Sequence, residues 1–195
     1  MEVYVGDIPY WNYTNQVLEI GQILRTDIYV RNDSVEFWFQ NFYNDCCVEY
    51  EKDFCKDLMN ESSTCQDELG FKRRILRYLG KYPHFGGDIH FNISSDELNQ
   101  ESYIKGNFEI KGIRAKYQYS QLDNIDIKTK AMDTMKSKLR NITFDTNSEN
   151  NLNHPIAYTF MFIQWEANRV ISHELVRNLS LTFGTIAIGD FNFIL

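Results

Sequence analysis

The sequence contains little proline, glycine or positive charge. Its 195 residues include 3 prolines and 10 glycines, and 20 Lys and Arg residues stand against 27 Asp and Glu. So few prolines and glycines exclude a disordered linker protein. The formal net charge of −7 argues against nucleic acid as a partner, because binding it needs an excess of Lys and Arg to displace counterions.

Motifs with a known catalytic mechanism are also missing. The chain has no G-x-S-x-G, no H-E-x-x-H, no P-loop and no dinucleotide fingerprint. We therefore predict a protein that is not an enzyme and that needs no cofactor. Apolar residues, in contrast, are abundant, since they make up 43% of the chain and include 14 Phe, 12 Tyr and 3 Trp. Such a chain can bury the core of one large domain or two small ones.

All the cysteines of the chain lie close together, at Cys46, Cys47, Cys55 and Cys65. Four cysteines allow three pairings. A bond between Cys46 and Cys47 would close a strained ring, so we expect each of these two to pair with one of the later cysteines. Such bridges close short loops and stabilise the fold by about 2–3 kcal/mol each. A zinc site that recruits His84 or His90 is the alternative, but adjacent cysteines chelate one ion poorly. No metal is predicted.

The chain is also rich in acceptor triplets for N-glycosylation. The N-x-S/T pattern begins at Asn12, Asn32, Asn60, Asn92, Asn141 and Asn178. Together with the clustered cysteines, these triplets favour an oxidising compartment. The N-terminus lacks the basic start and the apolar run of a signal peptide. We therefore expect this chain to be a piece of a longer exported protein.

Periodicity in the first third of the chain predicts a strand followed by two helices. "EVYVG" alternates and is β-branched, which is typical of a strand. "YTNQVLEIGQILRT" predicts a helix with Thr14 as its N-cap. Its buried face should comprise Val17, Leu18, Gly21 and Leu24. "DSVEFWFQNFYND" predicts a second helix, capped by Asp33 or Ser34, that docks Phe37, Trp38 and Phe42.

A third helix is predicted in "STCQDELGFKRRILRYLGKYP", with a cap from Ser63 or Thr64. The expected buried stripe is Leu69, Ile75, Leu76 and Leu79. Four basic residues lie mostly off that stripe: Lys72, Arg73, Arg74 and Arg77. We expect them to form a solvated face, with phosphate or headgroup binding as the alternative.

The remaining sequence predicts three further strands and two helices. "DIHFNI" and "NFEIKGIRAKYQYSQL" predict strands, and a change of apolar parity at Gly112 predicts a β-bulge that turns both apolar sets toward one core. "NIDIKTKAMDTMKSKLRNI" predicts an amphipathic helix. Its buried stripe should be Met132, Met135, Leu139 and Ile142. "HPIAYTF" is extended, and a long helix follows from about Phe160.

These elements predict an α+β fold. Without an insert at about 33–87, the order is β-α-β-β-α-β, the ferredoxin-like arrangement. The insert should be helical and held by the disulfides. Residues 179–195 predict either the start of a transmembrane helix or a buried C-terminal helix, because they are apolar but slightly short for a span and contain Asp190.

Several segments resemble one family in the correct order. "VYVGDIPYWNYTNQVLEIGQIL" is similar to the start of the second large extracellular domain of Patched-related proteins, and "NDSVEFWFQNFYNDCC" resembles a segment that ends in paired cysteines in Niemann–Pick type C transporters. "GIRAKYQYSQL" with "KAMDTMKSKLRNI", and "HPIAYTFMFIQWEANRVISHELVRNLSLTFGTIAI", resemble later parts of the same domain. The resemblance extends over nearly the whole chain.

The resemblance implies a eukaryotic member of the resistance-nodulation-division superfamily, which moves sterols or other lipids or acts as a receptor. Residues 1–178 would be an extracellular or lumenal porter-like domain that pairs with a second such domain above the membrane. Aromatic side chains could then line an apolar passage for lipid. The candidates are Phe37, Trp38, Phe42, Phe160, Phe162 and Trp165.

The chain departs from this family in lacking the many membrane helices and the sterol-sensing domain, which also predicts a fragment. Transport would therefore belong to the parent molecule. A protein-recognition module for a secreted ligand or a partner domain is the alternative function. Its contact surface would be the acidic run of the insert, which comprises Asp45, Glu49, Glu51, Asp53 and Asp57.

Overall fold

The structure is a computed structural model of the chain, and it describes residues 1–48, 55, 64–92, 108–145 and 154–193, with side chains as far as 183. The chain divides into two compact units. The first comprises Met1–Ser120 and Met135–Tyr158, and the second comprises Gln121–Thr134 and Thr159–Leu195. The expected boundary between 178 and 179 stays a prediction.

The predicted α+β class is confirmed. Within the described residues, four strands form one antiparallel sheet in the order β2-β3-β1-β4. The strands are β1 Glu2–Val5, β2 Ile89–Phe91, β3 Ile110–Lys116 and β4 Ile156–Tyr158. The helices are α1 Thr14–Thr26, α2 Trp38–Cys46, α3 Glu68–Lys81, α4 Ile125–Arg140 and α5 Phe160–Phe193. Short 3₁₀ helices cover Asn32–Ser34 and Pro83–Asp88.

A bulge in β3 lets two apolar sets face one core, as predicted. His90 pairs with Gly112 and Phe91 pairs with Ile110, so Lys111 is the extra residue opposite β2. The apolar residues on both sides of the bulge are buried, namely Phe108, Ile110, Ile113, Ala115 and Tyr117. A bulge therefore reverses the side-chain parity without ending the strand.

Helices α1 and α4 bury the faces that their periodicity indicates, with small corrections. The stripe of α4 is confirmed in full, because Met132, Met135, Leu139 and Ile142 are all buried. In α1, Ile20 is buried while Leu18 is only half-buried. Thr14 is not the N-cap, since it is the first residue of the helix and its hydroxyl donates to the Tyr10 carbonyl at 3.1 Å.

Helix α2 begins at Trp38, so the prediction of a cap at Asp33 or Ser34 is wrong. The reason is a pairing that is distant in sequence. The amide of Glu36 donates to the carbonyl of Lys116, and the amide of Lys116 donates to the carbonyl of Glu36, both at 2.9 Å. This bridge keeps residue 36 extended beside β3, and the helix can begin only after it.

The cap of α3 is Asp67 rather than Ser63 or Thr64. The Asp67 carboxylate accepts from the amide of Gly70 and from the amide of Thr64, each at 2.7 Å. The buried stripe also differs from the prediction, because Leu69 is exposed and Leu76 and Leu79 are only half-buried. The buried apolar side chains of α3 are Phe71, Ile75 and Tyr78.

The solvated basic face predicted for α3 is wrong, because Lys72, Arg73 and Arg74 are buried. The Lys72 ammonium pairs with Glu68 at 2.6 Å and lies 5.6 Å from the centre of the Phe108 ring. Long basic side chains can bury their apolar stems while the charged end keeps a partner. Arg77 is half-buried.

Loss of the α3 cap is the most direct test of this part of the fold. Asp67→Ala removes the acceptor of two amide hydrogen bonds and should lower the free energy of unfolding by about 1 kcal/mol. Asp67→Asn keeps an acceptor oxygen and should cost only a small part of this. Denaturant unfolding measures both variants. Equal stability of the alanine variant and the wild type would contradict the assignment of Asp67 as the cap.

Candidate functional site

Two disulfide bonds join the cysteines in the manner expected. Cys46 is bonded to Cys55 and Cys47 to Cys65, with sequence separations of 9 and 18 residues. Cys46 is the last residue of α2, and its carbonyl oxygen accepts a hydrogen bond from Arg74 Nη1 at 2.9 Å. The end of α2 is therefore held by a hydrogen bond from α3 and by disulfide bonds to Cys55 and Cys65. All four sulfurs are bonded, so none is a thiolate that could bind zinc.

Three of the six predicted passage residues belong to an aromatic cluster inside the first unit. Phe37, Trp38 and Phe42 are each at most 2% exposed. The Phe42 ring centre lies 5.5 Å from that of Phe71 and 5.6 Å from that of Tyr78, both in edge-to-face geometry. Such pairs stabilise a core beyond their buried area. Buried rings offer no surface to a lipid in this conformation.

The other three passage residues lie at the start of α5. Phe162 and Trp165 are buried, and their ring centres are 5.6 Å apart. Phe160 is 67% exposed. In this conformation Phe160 alone among the six candidates could contact a lipid. The prediction that all six line a passage stays untested for the parent molecule.

Helix α5 presents the most extensive apolar surface among the described side chains. Ten large apolar residues on it are exposed: Phe160, Met161, Ile163, Val170, Ile171, Leu175, Val176, Leu179, Leu181 and Phe183. At 100° per residue they spread over about two thirds of the helix circumference, which is wider than one stripe, and Arg169, His173 and Arg177 share the remaining side. Of the predicted segment 179–195, the apolar side chains of Leu179, Leu181 and Phe183 are described, and all three are exposed. The start of a transmembrane helix and a buried C-terminal helix both stay predictions.

The sequence contains a signal for this exposed surface in the apolar character of its C-terminal helix. An apolar helix without a 3.6-residue stripe is typical of a helix surrounded by apolar material. No charged residue occurs from 178 to 189, whereas Glu166, Arg169, Glu174 and Arg177 interrupt the earlier turns. Among the helices of the described part of the chain, none is long and apolar enough to cross a membrane.

The acceptor asparagines that the structure describes are all at the surface. Asn12, Asn32, Asn92, Asn141 and Asn178 are exposed. Glycosylation adds a bulky polar group and needs such exposure. Asn60 lies outside the described residues, as do Glu49, Glu51, Asp53 and Asp57 of the acidic run. Glycosylation and the acidic contact surface therefore stay predictions.

A network of charged groups covers the face of the sheet opposite the core. The guanidinium of Arg114 on β3 donates from Nε to Asp88 at 2.9 Å and from Nη1 to Glu2 on β1 at 3.0 Å. Lys116 also pairs with Asp88, at 2.7 Å. The Asp88 side chain is only 4% exposed, so its charge depends on these two partners. The Tyr4 hydroxyl donates to Glu2 and completes the network.

Lys111, the bulged residue of β3, is paired twice. Its ammonium lies 2.8 Å from Asp7 and 2.6 Å from Glu109. Hydrogen bonds to Asp7 and Glu109 raise the pKa of Lys111, and the hydrogen bond from Lys111 lowers the pKa of Glu109. The basic side chains along this part of β3 are thus neutralised by carboxylates from the chain itself.

Within the residues that the structure describes, no group of three or more His, Cys, Asp and Glu side chains could hold a metal ion. His84 and His90, considered for zinc, are both exposed.

Comparisons with protein-family models, with curated proteins and with solved structures find no match to this chain. The resemblance to Patched-related proteins therefore depends on the sequence segments alone.

The charge network makes a stability prediction. Arg114→Gln leaves the buried Asp88 carboxylate with Lys116 as its remaining cation among the contacts described above. Because Arg114 is partly exposed, we expect the free energy of unfolding to fall by about 1–2 kcal/mol, not by the full cost of orphaning a buried charge.

The matched control is Arg31→Gln. Arg31 pairs with Asp33 at 2.8 Å, but both side chains are more than half exposed, so we expect no measurable change. Denaturant unfolding compares the two variants at one pH and salt concentration. If both variants lose the same free energy of unfolding, or if neither loses any, then the charge network across the sheet does not stabilise the fold as predicted.

Proposed function

We propose that the chain is an extracellular or lumenal domain of a lipid-handling membrane protein, and that it is not an enzyme. Helix α5 carries this proposal, because ten large apolar side chains are exposed on it. Contiguous exposed apolar surface of this extent marks a site of contact with protein or lipid. In the proposed role, the exposed apolar side chains of α5 contact lipid.

Lipid fits α5 better than a soluble partner. A partner protein would cover one side of the helix and would leave the apolar side chains of the other sides in water. Lipid can contact exposed apolar side chains over an arc wider than one stripe, since it is not limited to one side of the helix. The charge-free turns from 178 to 189 agree with this placement, since a charged side chain in lipid is costly.

The compartment is supported by the covalent structure. Disulfides persist in oxidising environments and are rare in the cytosol. Both bridges in the chain, together with five exposed acceptor asparagines, favour an extracellular or lumenal location.

The finer fold that we propose is the ferredoxin-like lobe. The strand order β2-β3-β1-β4 supports it, as does the element order once α2 and α3 are treated as an insert between α1 and β2.

In the parent molecule, a paired extracellular domain would complete an apolar passage for sterol or another lipid. This chain would contribute one wall, and Phe160 is the predicted passage residue with exposed surface. Recognition of a secreted ligand or a partner domain remains the alternative function. Asp45 is the described member of its acidic run, and it is half-buried.

Vesicle flotation tests the proposed contact of α5 with lipid. The full chain should float with phosphatidylcholine vesicles. A variant with Val170, Ile171, Leu175 and Val176 all changed to Gln should lose vesicle affinity by at least about a hundredfold, since each buried apolar side chain of this size contributes about 1.5–3 kcal/mol. Gln is a good helix former, so the helix itself should persist.

A control variant changes Asn168, Ser172 and His173 to Gln, because these are exposed polar residues of the same helix. This control should float like the wild type. Anionic vesicles should give no large gain, since α5 is not rich in Lys and Arg. If the wild type does not float, or if it binds a soluble partner domain and no vesicle, lipid contact is wrong and the recognition function is favoured.

A further inference from the structure

A glycine-lined cleft lies over the sheet in the first unit, and none of the predicted passage residues is among its lining residues. It has a volume of about 890 Å³, which is in the range of pockets for small molecules. Four of its lining residues are glycines: Gly6, Gly86, Gly87 and Gly112. The whole chain has only 10 glycines, so this concentration is high. Glycine lets another molecule approach the backbone closely.

Packing against described residues does not explain two of these glycines. A Cβ added at Gly86 would have no described atom within 4 Å. A Cβ added at Gly87 would meet only Nη2 of Arg114, at 4.0 Å, and Arg114 lines the same cleft. Neither residue has the positive φ that favours glycine. A side chain at 87 would therefore extend toward Arg114 and narrow the cleft.

The charge of the cleft indicates what kind of molecule it takes. Its two basic lining residues are Arg114, bonded to Glu2 and Asp88, and Lys111, bonded to Asp7 and Glu109. An anionic ligand would have to displace these carboxylates. Asp88 and His90 also line the cleft, and the other lining residues are mostly glycine or apolar, such as Leu79, Ile89 and Phe91. An uncharged, mainly apolar molecule would not have to displace either ion pair.

We propose that this cleft binds a small uncharged molecule with a flat, largely apolar body. A flat body suits such a lining, because four of its residues are glycines that contribute no side chain and let a ligand approach the backbone closely. The site needs neither α5 nor the parent molecule. It is therefore separate from the lipid contact proposed above and can exist whether or not that contact does.

Binding of Nile red, an uncharged fused-ring fluorophore, tests the proposal on the full chain. Saturable binding at one site is expected. Gly87→Leu should weaken it at least tenfold by filling the cleft. Gly80→Leu is the matched control, since Gly80 is exposed on α3, has no described atom within 4 Å of an added Cβ and does not line the cleft. It should leave the affinity unchanged, and thermal unfolding should show both variants folded.

Nile red could also adsorb to α5, so the titration is repeated on the variant with four Gln substitutions there. The cleft site should persist in that variant, and Gly87→Leu should still float with vesicles. An anionic probe, anilinonaphthalene sulfonate, should bind the cleft at least tenfold more weakly than Nile red. Absence of saturable binding, equal binding by Gly87→Leu, or tighter binding of the anionic probe would each overturn the proposal.

Discussion

The junction at the C-terminal end of α2 is the constraint on which the first unit depends. The adjacent residues Cys46 and Cys47 each form a disulfide here, with partners 9 and 18 positions later in the sequence. They restrict the unfolded chain where the sequence is polar. The Cys46 carbonyl also accepts from Arg74, so a buried guanidinium on α3 is bonded to the end of α2. Aromatic side chains of α2 and α3 also pack against each other, for example Phe42 against Phe71 and Tyr78.

This arrangement divides the roles of the aromatic residues. Those of α2 and α3 complete a core, so they are not available to a ligand, although their type and spacing also suit a binding surface. Exposed apolar area lies elsewhere, on α5, and open concave space lies over the sheet beside the 3₁₀ helix Pro83–Asp88. The face of the sheet is polar, but its charges satisfy one another.

Local sequence patterns predicted several features of the fold that depend on residues close together in the sequence. The parity change at Gly112 predicted the bulge, and spacing predicted the buried stripe of α4. Spacing also predicted that each of the adjacent cysteines pairs with one of the two later ones, although not which one. Two of the errors involve contacts between distant residues. Glu36 pairs with Lys116, so α2 begins later than its pattern predicts, and the buried Arg74 donates to a carbonyl 28 positions earlier. Periodicity encodes neither contact. The cleft was missed because Gly6, Gly87 and Gly112 come from three separate segments.

The central claim is that the chain folds outside the reducing cytosol as a bridged domain. Mass mapping of proteolytic fragments, without reduction, from protein recovered from its native cells tests it most directly. The account predicts the pairs Cys46–Cys55 and Cys47–Cys65, and glycans on exposed acceptors such as Asn12 and Asn141. Four free thiols together with unmodified asparagines would contradict it.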